Sequence, residues 1–532
     1  MIPEEQNGFR FGRSCDDHVF TLDSIVRNRL NLNRQTYCAF VDFQKAFDHI
    51  DRNLLFYKLL LHNLDGKMYF IIKALLSRTS SCVQINREYS TEWFKTVSGV
   101  KQGDNISPTL FGLYINDLVG YLKENCPTLK IMNMEVNCLL YADDLVLVAE
   151  SPANLQHILN ELHKWFGQWK MKVNIDKTKI VHLRKPRQNR TDFTFKLNDQ
   201  VLEKVGHYKY LGVYIDEFLK YDLCAQTLSA SGSRALGSVI NKSKSIKGLG
   251  YSTYSTLFNS CVKPILEYGS GVWGHVNAQC IDMIFSRAKN YFLGVHKYAP
   301  KYGVTGDMGW LDPKFGRAIC KLRLWNRLVK MDNSRLTKVV FEWDMSICKN
   351  NWSDSLKTLL CSIDMLDIFQ HRVPITRNLV DIFKTKMSYE WKRNIETKPK
   401  LRTYIKFKKE FETEEYVKSN ISRYTRSLFA QFRLGILPLK IESGRFKRQP
   451  LAERICENCT LNEIEDEIHF LCKCPLYSSL RFALFKKATE LSERFNFLSE
   501  DDKFLFLMNN MWRDVAHFVV NAWRIRQHET YI

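Results

Sequence analysis

The chain has no run of 18 apolar residues, which argues against a membrane-spanning helix. It has no internal repeat and no low-complexity tract, and its composition excludes a collagenous, mucin-like or wholly disordered protein. The opening Met1-Ile2-Pro3-Glu4-Glu5 has neither the apolar core of a signal peptide nor the Arg/Ser richness of a transit peptide. A disulfide framework is missing too. The 15 cysteines are odd in number and spread through 532 residues with no secretory signal, so all but one cluster read as reduced, buried thiols. What is present is ordinary globular material: 45% hydrophobic and 25% charged residues, enough for about three or four domains at roughly 150 residues each.

Acid is in short supply in one place. The chain has 78 basic and 57 acidic residues, a formal charge of +21. Residues 1–180 hold 21 Lys/Arg and 20 Asp/Glu, whereas residues 301–450 hold 31 and 16, an excess of 15. A basic excess in one stretch is either the footprint of a polyanion binder or a set of solvated helical faces. The aromatics interleaved there (Trp310, Trp325, Trp343, Trp352, Trp391, Tyr424) read first as core.

Residues 1–180 mix strand and helix patterns, the mark of an α/β or α+β domain. Tyr37–Val41 reads as a buried strand, Asn53–Leu64 and Tyr69–Leu76 as helices, and Thr109–Leu122 as one helix with Ser107 at its N-cap and Pro108 at its first position. Cys138–Leu140 and Leu145–Val148 are apolar strands around a four-residue turn. Ala153–Trp169 predicts an amphipathic helix and Met171–Val173 a strand. After a basic break at Lys185–Arg190, short strands run over 195–215, and from about residue 222 the pattern is helical.

That hairpin turn is Tyr141-Ala142-Asp143-Asp144. Adjacent carboxylates repel, so one pKa rises unless a cation neutralises them. Asp42 ends the Tyr37–Val41 strand and can supply a third carboxylate. Three acids converging on two divalent ions suit nucleotidyl transfer, in which the metals activate a hydroxyl and stabilise leaving pyrophosphate.

An ordered series of segments carries a resemblance. These are Gln6-Asn7-Gly8-Phe9-Arg10, Val41–Asp48, Gly99–Pro108, Tyr141–Asp144, Asn174–Lys179 and Tyr210-Leu211-Gly212-Val213. The chain resembles the reverse transcriptases of non-LTR (LINE-type) retrotransposons. The resemblance implies an α+β right-hand polymerase fold with partial fingers and palm over 1–216 and a thumb-like helical region over 217–300. Beyond these it implies a basic, mainly helical nucleic-acid-binding region over 301–450, a zinc knuckle over 451–480 and a helical tail over 481–532.

It implies RNA-directed DNA polymerisation with template RNA, primer or target DNA and dNTPs as partners, in the nucleus or cytoplasm and not at a membrane. Asp42, Asp143 and Asp144 would hold two Mg²⁺ ions. Phe47 would select deoxynucleotides by its bulk beneath the sugar, Gln102 would contact nucleotide and template, and Tyr141 would line the site. Lys177 would protonate pyrophosphate, with Lys179 its rival, and Tyr210, Leu211 and Gly212 would form the primer grip.

Cys456-x-x-Cys459, nine residues, His469, four residues and Cys474-Pro475 is a spacing suited to a closed tetrahedral Zn²⁺ site, with Cys472 a rival ligand. Five acids lie in or near its loop, making it a poor direct contact for phosphate. By the same resemblance the chain begins close to the Gln-x-Gly-Phe-Arg segment and lacks further fingers, an endonuclease and an RNase H pattern. It therefore reads as a truncated element, with a catalytically inactive nucleic-acid-binding relic as the alternative. An RNA-dependent RNA polymerase, which shares paired acids in a hairpin, fits the motif order less well.

Overall fold

The strand Thr36–Val41 is buried along its whole length because both of its faces are covered. It is the middle strand of a five-stranded sheet whose order is Glu203–Lys204, Lys179–Leu183, Thr36–Val41, Asp144–Ala149, Cys138–Tyr141. All neighbours are antiparallel except the first pair. This computed structural model describes residues 2–84 and 90–529. They fall into two compact units: 1–224 with 269–276 and 318–376, and 225–268 with 277–317 and 377–532.

In the first unit the helix Pro152–Gln168 covers one face of the sheet. Ser151 caps it by accepting from the Asn154 amide at 3.1 Å, and Pro152 starts it. Leu155, Ile158, Leu159, Leu162, Trp165 and Phe166 recur at helical spacing and are all buried with Ala39, Val41 and Leu145. The predicted single helix over Thr109–Leu122 is two helices, Ser107–Tyr114 and Leu118–Asn125, with Ile106 rather than Ser107 at the cap position. The break follows from a buried lysine: Lys58 donates to the Tyr114 carbonyl and to Asp117, while its ammonium lies 3.5 Å from the Trp169 ring centre. Burial lowers the Lys58 pKa to about 8. Met171–Val173 makes only a single bridge, Val173 to Phe43, and the strand lies further on at Lys179–Leu183. The acidic hairpin turns through two residues, since Tyr141 and Asp144 already pair.

The helix Cys15–Asn31 is held to the later helix Leu336–Ile347 and its approach by charge as well as packing. Asp17, fully buried, accepts from the Ser14 amide at 3.1 Å and pairs with Arg327 at 2.7 Å and Arg335 at 3.1 Å. Asp17→Asn leaves two guanidinium groups without their anion. We expect it to destabilise the first unit by about 3 kcal/mol, read as an earlier thermal transition. An unchanged transition would show the cluster to be energetically idle.

The basic stretch 301–450 is shared between the two units. Several of its bases, namely Arg317, Lys321, Lys338, Lys408, Arg426 and Arg433, are buried. In the second unit Arg433 pairs with Asp307 at 3.1 Å and Glu414 at 2.9 Å, with the Tyr404 and Tyr416 hydroxyls completing the Asp307 carboxylate. Trp325, Trp352 and Trp391 are core residues, as first read from sequence. Among the described residues no helix is long and apolar enough to cross a membrane.

Candidate active site and metal centre

Register brings the acids together. Val41 pairs with Leu145 across antiparallel strands, so the next residues, Asp42 and Asp144, stand opposite one another. Val41 and Leu145 enter the core, which turns both carboxylates to the other face. Asp143 sits in the turn of the neighbouring hairpin. Asp144 is exposed at the strand end, yet partial loss of its hydration, then the charge of Asp143, then that of Asp42 push its pKa up to about 6. Partial burial, aided by Asp42, raises that of Asp143. Three mutually repelling carboxylates at a strand edge are a donor set that a hard divalent cation would relieve.

The Asn174–Lys179 segment clamps the root of Asp42. The Asn174 amide donates to the Asp42 carbonyl at 2.8 Å, and the Asp42 amide donates to the Thr178 hydroxyl at 3.2 Å. The Lys177 ammonium then lies 3.9 Å from the Asp42 carboxylate and is well exposed, whereas Lys179 is engaged with Glu203 at 2.6 Å. Phe47 stacks on Phe111 at 5.0 Å and meets the exposed Phe9 edge-on at 6.5 Å. The Gly99–Pro108 segment grips the same loop, with the Val100 amide donating to the Phe47 carbonyl at 2.9 Å. Gly99 has φ +74°, and a Cβ there would lie 2.7 Å from the Asp48 carbonyl oxygen. Gln102 is exposed and within 3.4 Å of Asp48.

Leu211 and Gly212, both at positive φ, turn the hairpin between His207–Tyr210 and Val213–Asp216. Tyr210 is buried, its hydroxyl 3.2 Å from His18 Nδ1, and His18 meets the Tyr141 ring edge-on at 6.1 Å. Sequence reading missed Tyr208, which stacks on Phe40 at 4.4 Å. Burial, then the charges of Asp144 and Asp42, push its phenol up to about 12. The period-2 alternation of Tyr208 and Tyr210 is the signal that could have found it.

Reading from sequence also missed what holds the acidic turn. Ala142 has φ +56°, a conformation that costs an L-residue about 1 kcal/mol. Its amide donates to Gln6 Oε1 at 2.9 Å and its carbonyl accepts from Gln6 Nε2 at 3.3 Å. Residues 5–7 run along the sheet's outer strand, with Leu140 donating to the Glu5 carbonyl at 2.8 Å and accepting from the Asn7 amide at 2.9 Å. Glu4 ties this segment to Arg13 at 2.8 Å and Arg10 at 3.4 Å.

In the second unit the side chains of Cys456, Cys459, His469 and Cys474 place one ligand atom each within 4.8 Å of one another. Among the described residues this is the only His, Cys, Asp and Glu set drawn together so closely; the three aspartates are not. Cys456 Sγ and Cys474 Sγ are 4.0 Å apart, and Cys459 Sγ lies 3.5 Å from His469 Nε2. These match edges of about 3.8 and 3.5 Å for a tetrahedral ion held by sulfur and nitrogen. A single π-turn over His469–Lys473 puts His469 and Cys474 on one side, with the Cys474 amide donating to the His469 carbonyl at 2.8 Å. Cys472 falls outside the set and is buried. The loop acids are structural: Glu463 pairs with Lys473, Glu465 with Arg526, Glu467 with Arg402, and Asp466 accepts from the Ile468 and His469 amides.

The central strand of this sheet and the adjoining hairpin thus carry Asp42 opposite Asp144, with Asp143 in the turn beside them. Residues 1–215 match the family described as reverse transcriptase (RNA-dependent DNA polymerase). The chain is 24% identical over 285 residues to the RNA-directed DNA polymerase from mobile element jockey of Drosophila melanogaster, covering 51% of this chain and 30% of that protein. It is 26% identical over 288 residues to the probable RNA-directed DNA polymerase from transposon BS of the same fly, covering 52% and 30%. It is also 29% identical over 216 residues to the Pol polyprotein from its type-2 retrotransposable element R2DM, covering 39% and 20%. The likeness to reverse transcriptases thus lies in residues 1–215, and the relatives it matches come from mobile elements. The chain spans 30% or less of the length of these relatives. Among solved structures, telomerase from Candida albicans superposes with a TM-score of 0.31 at 14% identity, over 64% of this chain and 55% of that one.

Proposed function

We propose that the chain is an RNA-directed DNA polymerase that extends a DNA primer on an RNA template from dNTPs. The observation that carries this reading is the cross-strand facing of Asp42 and Asp144 beside Asp143. These carboxylates would hold two Mg²⁺ ions, which supply Lewis acidity at the attacking hydroxyl and the leaving pyrophosphate. The chain's own side chains do the rest. The exposed Lys177 ammonium, close to Asp42, is placed to meet pyrophosphate charge and to give up a proton there. Gln102, exposed on the Gly99–Pro108 loop, reaches toward nucleotide and template. Tyr141 and the Tyr210–Gly212 turn support the primer terminus.

Phe47, backed by Phe111 and so unable to retreat, lies under the incoming sugar and rejects a 2′-hydroxyl by contact. Replacing it with alanine is expected to raise ribonucleotide use relative to deoxynucleotide by at least ~10-fold. Competition assays read this directly, and a wild type that already takes both sugars alike would end the gate idea. The Cys456, Cys459, His469, Cys474 set would bind one structural Zn²⁺ and brace a nucleic-acid-binding knuckle. The exposed part of the basic stretch 301–450 would contact the backbone of RNA or target DNA. The deciding experiment is primer extension on an RNA template with dNTPs and Mg²⁺, comparing wild type with Asp143→Asn. Equal incorporation would overturn the reading.

A further inference from the structure

The acidic turn is not self-supporting. In a two-residue hairpin with positive φ at its first position only, glycine is the residue that fits; here it is alanine, with Ala142 at φ +56° and no left-handed Asp143. Nothing within the hairpin compensates. The compensation comes from 136 residues away, where the buried Gln6 side chain offers its carbonyl to the Ala142 amide and its NH₂ to the Ala142 carbonyl. The same Gln6 carbonyl accepts from the Gly8 amide at 2.7 Å, which orients the carboxamide. Gly8 has to be glycine for steric reasons: a Cβ there would lie 2.1 Å from the Ala142 nitrogen. The bridge between Gln6 and Leu140 sets the register, so this carboxamide meets that one peptide and no other.

We propose that Gln6 is a positioning residue for Asp143: its carboxamide, seated by Gly8, holds the Ala142 peptide in the left-handed state that aims the Asp143 carboxylate at the Asp42–Asp144 pair. The inference rests on reading Asp143 as a metal ligand. A peptide that relaxes out of the left-handed region rotates the following Cα–Cβ bond, so the carboxylate leaves the shared site while the sheet stays paired. Gln6 touches no substrate; it acts through Ala142.

The test uses the full chain with Gln6→Ala, Gln6→Glu and the double variant Gln6→Ala/Ala142→Gly. Gln6→Ala is expected to lower primer-extension kcat by ~10²-fold, as an ångström-scale misplacement does, with the dNTP KM moved less than about threefold. Mn²⁺ binding, followed by electron paramagnetic resonance, should weaken. Amide exchange, followed by mass spectrometry, should quicken in the peptide spanning 138–149. Gln6→Glu keeps the acceptor but not the donor to Ala142, so it should fall between wild type and Gln6→Ala; it decides the matter if the alanine variant does not fold. Glycine adopts positive φ freely, so the double variant should recover at least about fivefold in kcat.

Wild-type kcat and exchange in Gln6→Ala would overturn the proposal, and so would a double variant no better than Gln6→Ala. A wild type no more active than Asp143→Asn would instead remove the polymerase reading, and the exchange and Mn²⁺ measurements would still decide the role of Gln6.

Discussion

Asp143→Asn is expected to lower primer extension by at least ~10³-fold while making the metal-free protein more stable at neutral pH. The two effects share a cause. On the proposed reading, losing one of three carboxylates would remove a ligand from the ions, and metal-assisted displacement depends on such ions for several kcal/mol of transition-state charge stabilisation. The same carboxylate is a liability without metal, since it helps push Asp144 to about 6.

The sign follows from linkage. A carboxyl whose folded pKa lies above its unfolded value binds more protons when folded, so stability is highest below the unfolded pKa and falls as pH rises through about 6. Asparagine removes part of that penalty, worth about 1 kcal/mol at pH 7 once solvent screening of the exposed Asp144 is allowed for. Metal-free thermal melts at pH 4.5 and 7 read this, and saturating Mg²⁺ should reverse the order of the two proteins. Wild type and variant with equal melts at both pH values would show the acids to be too far apart to interact.

The second large effect concerns the Cys/His set. Cys474→Ser is expected to abolish stoichiometric zinc and to unravel the segment around it, whereas Cys472→Ser keeps one zinc per chain. Structural zinc contributes on the order of 10 kcal/mol to small sites of this kind; Phe470 and Leu471 anchor one end of the segment in the core, but residues 457–464 have no buried apolar side chain to take the ion's place. The acids around the site already serve other partners, as in the pairs Glu465–Arg526 and Glu467–Arg402. Losing the ion should therefore release those pairs together and expose the 451–480 segment to protease. Elemental analysis with limited proteolysis checks both statements. Zinc retained in Cys474→Ser and lost in Cys472→Ser would reverse the ligand assignment.

Much of the site was legible from residue order. Asp42 at the end of an apolar strand and Asp143-Asp144 between two others are local patterns, and burial of those strands follows from hydrophobicity alone. The helix over Pro152–Gln168, read from sequence as Ala153–Trp169, was equally plain, because its apolar spacing is a local property. The single helix predicted over Thr109–Leu122 failed for the opposite reason: what divides it is the side chain of Lys58, some fifty residues earlier, taking the Tyr114 carbonyl. Charge counting was limited in the same way. An excess of 15 in residues 301–450 includes Arg433, locked between Asp307 and aromatic rings, and composition does not distinguish a base in the core from one facing a phosphate backbone.

By itself, then, the sequence determined which residue types could do the chemistry and in what order they come, because strand burial, turn chemistry and ligand identity are local properties. Tertiary structure alone decided three things: that Asp42 faces Asp144, that Cys474 and not Cys472 joins the Cys/His set, and that Gln6 latches Ala142. The first depends on strand register, the second on one π-turn, and the third on a hydrogen bond spanning 136 residues. None of these leaves a period in the sequence, since each is a choice among long-range pairings made by packing and by the cost of leaving a buried peptide unpaired.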